Sequence, residues 1–171
     1  MQTLKISLLV FILSIAISAQ WEWKNPLPQS NNLKKIFFTD SSTGWMVGDR
    51  GTFVRTIDGS GLRAFYYDSI TANLKSLTFI NKNFGWAVSA VGGTFEEGRV
   101  FKTSDAGQNW TQIYLFNKIL YDVKFISKDV GWVVGFGIIS KTTDGGISWN
   151  DQLLDPAAKF YSCFFANSFR G

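Results

Sequence analysis

Four segments of the chain share one pattern of large apolar positions. They align without gaps and comprise residues 33–44, 74–85, 120–131 and 160–171. Each has an apolar residue eleven positions before a closing glycine, another eight positions before it, and a phenylalanine six positions before it. In the first three segments a tryptophan follows the closing glycine directly. The same apolar positions recur in all four segments, which indicates an internal repeat. Its units start near residues 33, 74, 120 and 160.

Alternation of apolar and polar residues inside each unit predicts short β-strands. A first strand such as 74–80 is followed by an apolar, tryptophan-led second strand such as 85–89. A third strand, for example 99–103, then leads through a turn into a fourth. Four strands every 40 to 46 residues are typical of a β-propeller blade. We therefore predict an all-β fold, a β-propeller of four-stranded antiparallel blades with about three repeats present and an incomplete ring.

A second motif, here called the Asp motif, keeps register with the repeat. Its copies are 56–61 (TIDGSG), 103–110 (TSDAGQNW) and 142–149 (TTDGGISW), and the first lacks the final tryptophan. Aspartate accepts backbone N–H bonds and glycine tolerates positive φ, so the motif favours a tight turn whose tryptophan packs onto the blade. The predicted turn residues are Thr56, Asp58, Gly59, Thr103, Asp105, Gly107, Trp110, Thr142, Asp144, Gly146 and Trp149.

A cation directly precedes each Asp motif, at Arg55, Lys102 and Lys141. Radial repetition would set these three charges around one ring and so create a candidate binding face for an anionic partner. The alternative is an ordinary solvent-facing position on the third strand. The motif carboxylates belong to successive blades, whereas glycoside hydrolysis needs two carboxyl groups within about 10 Å of each other. We therefore predict structural turns and no catalytic residues.

The second strand, which begins with Gly-Trp, and the Asp motif together resemble the repeats of a known family. Residues 44–59 (GWMVGDRGTFVRTIDG) resemble the photosystem II stability/assembly factor-like β-propellers, whose repeats are of the Asp-box (BNR) type. The segment 21–38 is similar to the start of secreted bacterial members. The resemblance implies a non-enzymatic scaffold for protein interaction and assembly, including photosystem II assembly in a photosynthetic organism. The alternatives are an Asp-box glycan-binding or sialidase-like propeller and a cell-surface adhesion protein with a missing C-terminal module.

Composition narrows the classes of function further. The 171 residues include no histidine and one cysteine, which excludes imidazole metal sites, histidine-based triads and internal disulfides. The 17 basic and 13 acidic residues are spread along the chain, which argues against a nucleic-acid partner. We expect no cofactor and no metal. We expect a protein partner, with a glycan as the alternative.

The two ends of the sequence suggest a secreted piece of a longer protein. Residues 1–19 combine Lys5, an apolar run over 6–17 and a small-residue end at Ala19, as in a cleavable signal peptide. That run of twelve residues is too short to span a bilayer of about 30 Å. We expect a secreted, periplasmic or cell-surface protein without a stable membrane span after cleavage. The fourth unit ends at its closing glycine, so we expect further blades to follow.

Overall fold

The computed structural model describes residues 31–59, 61–67, 70–91 and 96–165, and β-strands form most of them. The described strands lie in three separate antiparallel sheets, which confirms the predicted all-β class and the blade-like arrangement. We refer to these sheets as blades 1, 2 and 3. The predicted signal peptide at 1–19 and the end of the fourth unit at 166–171 lie outside the described residues.

The strands follow the repeat in chain order. Blade 1 contains β1 (Leu33–Phe38), β2 (Gly44–Gly48), β3 (Thr52–Thr56) and β4 (Arg63–Tyr66), with a 3-10 turn at Asp49–Gly51. Blade 2 contains β5 (Asn73–Phe79), β6 (Gly85–Val91), β7 (Glu97–Thr103) and β8 (Thr111–Phe116). Blade 3 contains β9 (Leu120–Phe125), β10 (Gly131–Thr142) and β11 (Asn150–Lys159). Within each blade, strands that follow one another in the chain are neighbours in the sheet.

Blade 3 has three strands in place of the predicted four because β10 folds back on itself. Its first residues pair with β9, and its residues from Phe136 onward pair with β11. The Lys141 ammonium lies 5.0 Å from the centre of the Trp132 ring, although nine extended residues would span about 30 Å. Gly137, with a φ of +72°, lies between the two arms. The two arms of β10 therefore take the places of the predicted second and third strands.

The phenylalanine and the closing glycine of each repeat are cross-strand partners. Phe79 pairs with Gly85, and the same register joins Phe38 to Gly44 and Phe125 to Gly131. The aromatic ring lies over the glycine, and a Cβ on Gly85 would come within 2.5 Å of the Phe79 ring. Glycine is required here because its missing side chain leaves room for the ring.

The apolar core lies in the seams between blades. In the first seam the Phe79 ring of blade 2 stacks on Trp45 of blade 1 with centroids 3.9 Å apart. In the second, Phe125 of blade 3 stacks on Trp86 of blade 2 at 3.8 Å. Phe38 holds the same repeat position as Phe79 but is 46% exposed, compared with 4%. Whether the side chain at this repeat position is buried therefore depends on whether a neighbouring blade packs against it.

The first strand of each blade forms the centre of the arrangement. Strands β1, β5 and β9 contact one another in succession, and the outer strands extend away from them. After β11 the chain returns to this centre, where the Cys163 backbone N–H donates to Asp122 Oδ2 of β9 at 3.0 Å. Segment 160–165, the start of the predicted fourth unit, therefore lies beside the first strand of blade 3.

Candidate functional site

Each Asp motif folds as a turn closed by its threonine and its aspartate. In blade 2 the Thr103 hydroxyl donates to Asp105 Oδ1 at 2.8 Å and accepts the Gly107 N–H at 2.9 Å. In blade 3 the equivalent hydroxyl, that of Thr142, makes the same two bonds at 2.8 and 2.9 Å. Backbone N–H groups further along each turn donate to the aspartate. The degenerate first copy keeps the Thr56–Asp58 bond at 3.3 Å and a bond from Gly59 N–H to Thr56 at 3.0 Å.

These hydrogen bonds keep the carboxylates of Asp105 and Asp144 ionised. The pKa of Asp144 lies below its usual range because the Ser148 side chain and backbone and the Thr142 hydroxyl donate to the carboxylate. Burial raises the pKa of Asp105, but bonds from Asn109 outweigh this effect and leave the pKa below its usual value. A carboxylate that is held ionised by several donors is a poor general acid at neutral pH. The turns therefore use these carboxylates as structural acceptors.

The motif tryptophans pack against the same phenylalanines that the seams use. Trp110 stacks on Phe53 of blade 1 with centroids 4.7 Å apart and meets Phe79 edge-on at 5.9 Å. Trp149 meets Phe125 edge-on at 6.1 Å and donates its indole N–H to Gly146 O at 3.1 Å. The Asp motif is thus joined both to its own blade and to the core of the adjacent seam.

A second contact across each seam involves the tryptophan that follows the closing glycine, here called the GW tryptophan. The indole N–H of Trp45 donates to the Ala106 carbonyl at 3.0 Å, and that of Trp86 to the Gly145 carbonyl at 3.1 Å. Both acceptors are the residue that follows the motif aspartate in the next blade. Sequence reasoning did not assign this bond, although the recurrence of tryptophan and acceptor in consecutive units was an available signal.

Arg55 and Lys102 lie beside the two seams between blades, and Lys141 holds the equivalent position in blade 3. Strand register places Arg55 opposite Trp45 and Lys102 opposite Trp86. The cationic groups of Arg55, Lys102 and Lys141 lie 5.7, 5.3 and 5.0 Å from the ring centre of the GW tryptophan in their own blade. Lys102 Nζ also donates to Gly145 O of the next blade at 3.4 Å. Each cation thus accompanies a seam tryptophan, and a shared binding role remains a prediction.

A groove opens along the seam between blades 1 and 2. Its volume is about 490 Å³, and Arg55, Lys82, Asp105 and Gln108 are among its lining residues. Lys82 is exposed at its rim. The Arg55 Nε atom is buried and has no hydrogen-bond partner within the described part of the chain. We call this opening the seam groove. It contains two cations, Arg55 and Lys82, and one carboxylate, Asp105, which already accepts hydrogen bonds from its own turn.

A second polar cluster lies at the centre of the blades. It is formed by the third residue of each of the four repeat segments. These residues are Lys35, Ser76, Asp122 and Ser162. Asp122 is buried and accepts bonds from Lys35 at 3.5 Å, from the Ser76 hydroxyl, from the Ser162 hydroxyl at 3.0 Å and from the backbone of Cys163. Sequence reasoning missed this cluster, whose signal was a polar residue at the third position of all four repeat segments.

Next to this cluster lies a small cavity, here called the axial pocket. Its volume is about 150 Å³, and its lining includes Phe37, Thr78, Lys124, Cys163 and Phe164. Burial, with a further contribution from the nearby Asp122 charge, raises the pKa of the Cys163 thiol to about 12. The thiol is therefore protonated at neutral pH, and it is a weak nucleophile.

Metal-binding clusters and membrane-spanning helices are both missing from the described residues. No group of three or more acidic or cysteine side chains there is arranged to hold a metal ion. No helix in the same ranges has the length and apolar character needed to cross a membrane.

The repeats are similar to those of a known protein family. A family model described as Photosynthesis system II assembly factor YCF48 matches residues 13–119. The chain belongs to this family. The Photosystem II assembly lipoprotein Ycf48 of Synechococcus sp. strain CC9902 is 27% identical over 149 residues, which cover 83% of this chain and 43% of that protein. The Photosystem II assembly protein Ycf48 of Synechococcus sp. strain JA-2-3B'a(2-13) is 28% identical, with 76% and 40% covered.

Solved structures agree with this family assignment. A structure of YCF48 bound to D1 peptide has a TM-score of 0.63 at 25% identity and covers 73% of this chain and 40% of its own. YCF48 from Cyanidioschyzon merolae has a TM-score of 0.62 at 23% identity, with 74% and 41% covered. An ancestral GH74 enzyme, at a TM-score of 0.55 and 18% identity, covers 70% of this chain and 18% of its own and is similar in fold alone. This chain spans about two fifths of the length of its YCF48 relatives.

Proposed function

We propose that this chain is part of a non-enzymatic β-propeller that binds polypeptide segments during the assembly of a larger complex. Two of its relatives are named photosystem II assembly proteins, and a similar solved structure is that of YCF48 bound to D1 peptide. The observation that carries this proposal is the similarity of the chain to YCF48 bound to a D1 peptide, over 73% of its length. The non-enzymatic part is supported by the carboxylates of Asp105 and Asp144, which are ionised and accept hydrogen bonds within their own turns. Residues 1–19 support export of the protein before it acts.

The seam groove between blades 1 and 2 is the surface that we propose for peptide binding. A guanidinium group has five N–H donors in a planar arrangement that matches a carboxylate. The Nε of Arg55 has no partner within the described residues, and Lys82 adds a second charge at the rim. The apolar side chain of Ile57, 62% exposed, also lines the groove. These features favour a peptide with an acidic residue next to an apolar one.

Isothermal titration of the full chain with a D1 peptide tests this proposal. Replacement of Arg55 by Gln removes the guanidinium and leaves a shorter, uncharged polar side chain. We expect R55Q to weaken binding at least tenfold, because a charge-assisted hydrogen bond contributes about 1.5–3 kcal/mol. The matched control is R63Q, since Arg63 is the exposed cross-strand neighbour of Arg55 and does not line the groove.

The titration results test the proposed function and the proposed binding surface separately. Binding by the wild type that R55Q weakens at least tenfold and R63Q leaves unchanged supports both proposals. Equal binding by the wild type and R55Q would keep the scaffold function and rule out the seam groove. No binding of the peptide by the wild-type chain would overturn the proposed function for this chain.

A further inference from the structure

The axial pocket combines features that neither the turns nor the seams require. Its polar and charged lining comes from the first segments of successive repeats, at their third and fifth positions. No residue lines both this pocket and the seam groove. The pocket is therefore a separate feature, and a ligand bound in it would be independent of the proposed peptide binding.

The charges around the pocket do not cancel. The Asp122 carboxylate is already occupied by Lys35, by two serine hydroxyls and by a backbone N–H. Lys124 projects from the same strand two residues later, and its ammonium lies 5.6 Å from the centre of the Phe37 ring. No carboxylate of the described residues lies within ion-pair distance of Lys124. Among the described residues, one positive charge at the pocket thus has no carboxylate partner.

A buried hydroxyl borders the same pocket. Thr78 is 1% exposed, and its Oγ1 has no hydrogen-bond partner among the described residues. A buried polar atom without a partner costs free energy, so a native protein normally supplies one. Thr78 lines the pocket, and a rotation about χ1 can turn its hydroxyl towards a ligand oxygen.

We propose that the axial pocket binds a carboxylate group. One carboxylate oxygen pairs with the Lys124 ammonium, and the other accepts the Thr78 hydroxyl. The apolar part of the ligand lies against Phe37 and Phe164, which form the adjacent wall. A volume of about 150 Å³ holds a carboxylate with one or two carbon atoms, and it excludes a bulky side chain. The chemistry is the same for a free small carboxylate, a peptide C-terminus or an acidic side chain.

The first test uses acetate with the full chain, at constant ionic strength, followed by amide chemical shifts in NMR spectra. We expect saturable shifts at Thr78, Val123 and Lys124, and none with acetamide. K124Q is expected to weaken acetate binding at least tenfold, and T78V to weaken it several-fold. The matched control is K75Q, which neutralises a half-exposed lysine of β5 that does not line the pocket and is expected to leave binding unchanged.

Peptides distinguish the source of the carboxylate. The probes are acetyl-trialanine with a free C-terminus, its C-terminal amide, and an amidated peptide with a central aspartate. If acetate binds and the free acid is the one peptide that also binds, the natural ligand is a chain terminus. If the aspartyl peptide also binds, it is an acidic side chain, and if acetate binds without any of the peptides, it is a small free carboxylate. The proposal is overturned if acetate causes no saturable shift, if acetamide acts equally, or if K124Q and K75Q have the same effect.

Discussion

The repeat symmetry allows the contribution of one seam to be measured against another. Trp86 is fully buried, stacks on Phe125 at 3.8 Å and donates its indole N–H to Gly145 O at 3.1 Å. Trp132 holds the same repeat position and stacks on Phe165 at 4.1 Å, but it is only half-buried. Its indole N–H has no acceptor within the described residues. Replacement of each tryptophan by phenylalanine keeps an aromatic ring and removes the N–H.

The expected loss for W86F is the sum of two terms. The missing hydrogen bond costs about 1 kcal/mol, in line with a buried neutral donor and a carbonyl acceptor. The smaller ring leaves a cavity of roughly 40 Å³, which at about 24 cal/mol per Å³ adds about 1 kcal/mol. We therefore expect W86F to lower the free energy of unfolding by about 2 kcal/mol. W132F is expected to lower the free energy of unfolding by less than about 1 kcal/mol. The Trp132 indole N–H makes no hydrogen bond to the described residues, and the ring is partly exposed to solvent.

Urea unfolding of the full chain, followed by far-UV circular dichroism, measures both losses. With an m-value of about 2 kcal/mol per M, W86F moves the midpoint down by roughly 1 M. W45F is expected to behave like W86F, since Trp45 donates to Ala106 O at 3.0 Å in the first seam. An equal loss for W132F and W86F, or no loss for W86F, would refute the inter-blade role of the indole bond.

Three further predictions concern the turns and the glycines. The Tyr67 hydroxyl donates to Gly107 O at 2.6 Å, so Y67F is expected to cost about 1 kcal/mol in the same urea assay, and an unchanged midpoint would contradict this. G85A brings a Cβ within 2.5 Å of the Phe79 ring and is expected to cost about 1–3 kcal/mol, whereas a neutral effect would show that the ring moves freely. The pKa of Asp144 is lowered by folding, so its stabilisation is present above about pH 4 and is lost on acidification. The difference in stability between wild type and D144N should therefore shrink below about pH 4, and a constant difference down to pH 2 would be inconsistent with it.

The strands, the turns and the three blades of the described residues could be predicted from patterns along the chain. Period-2 alternation and the turn chemistry of Thr103 and Asp105 act over a few residues, so they can be read directly from the sequence. The spacing of the closing glycines indicated the blade, and the family resemblance rested on the same residues. The hairpin inside β10 agrees with the predicted second and third strands, although they form one continuous element.

The role of each repeat position, in contrast, depends on the packing of the blades. Trp45 and Ala106 are 61 residues apart and meet because consecutive blades pack face to face. Arg55, Lys102 and Lys141 recur at one repeat position in the sequence, and only the folded blades show that each lies 5.0 to 5.7 Å from the ring centre of its own GW tryptophan. The third position of the repeat segment is Lys35 in one repeat and Asp122 in another. These two side chains form an ion pair only because the fold brings the first strands of different blades together at the centre. Alternation and turns are local, whereas seams and the axis join residues from different repeats, and this is why the sequence pattern alone did not reveal them.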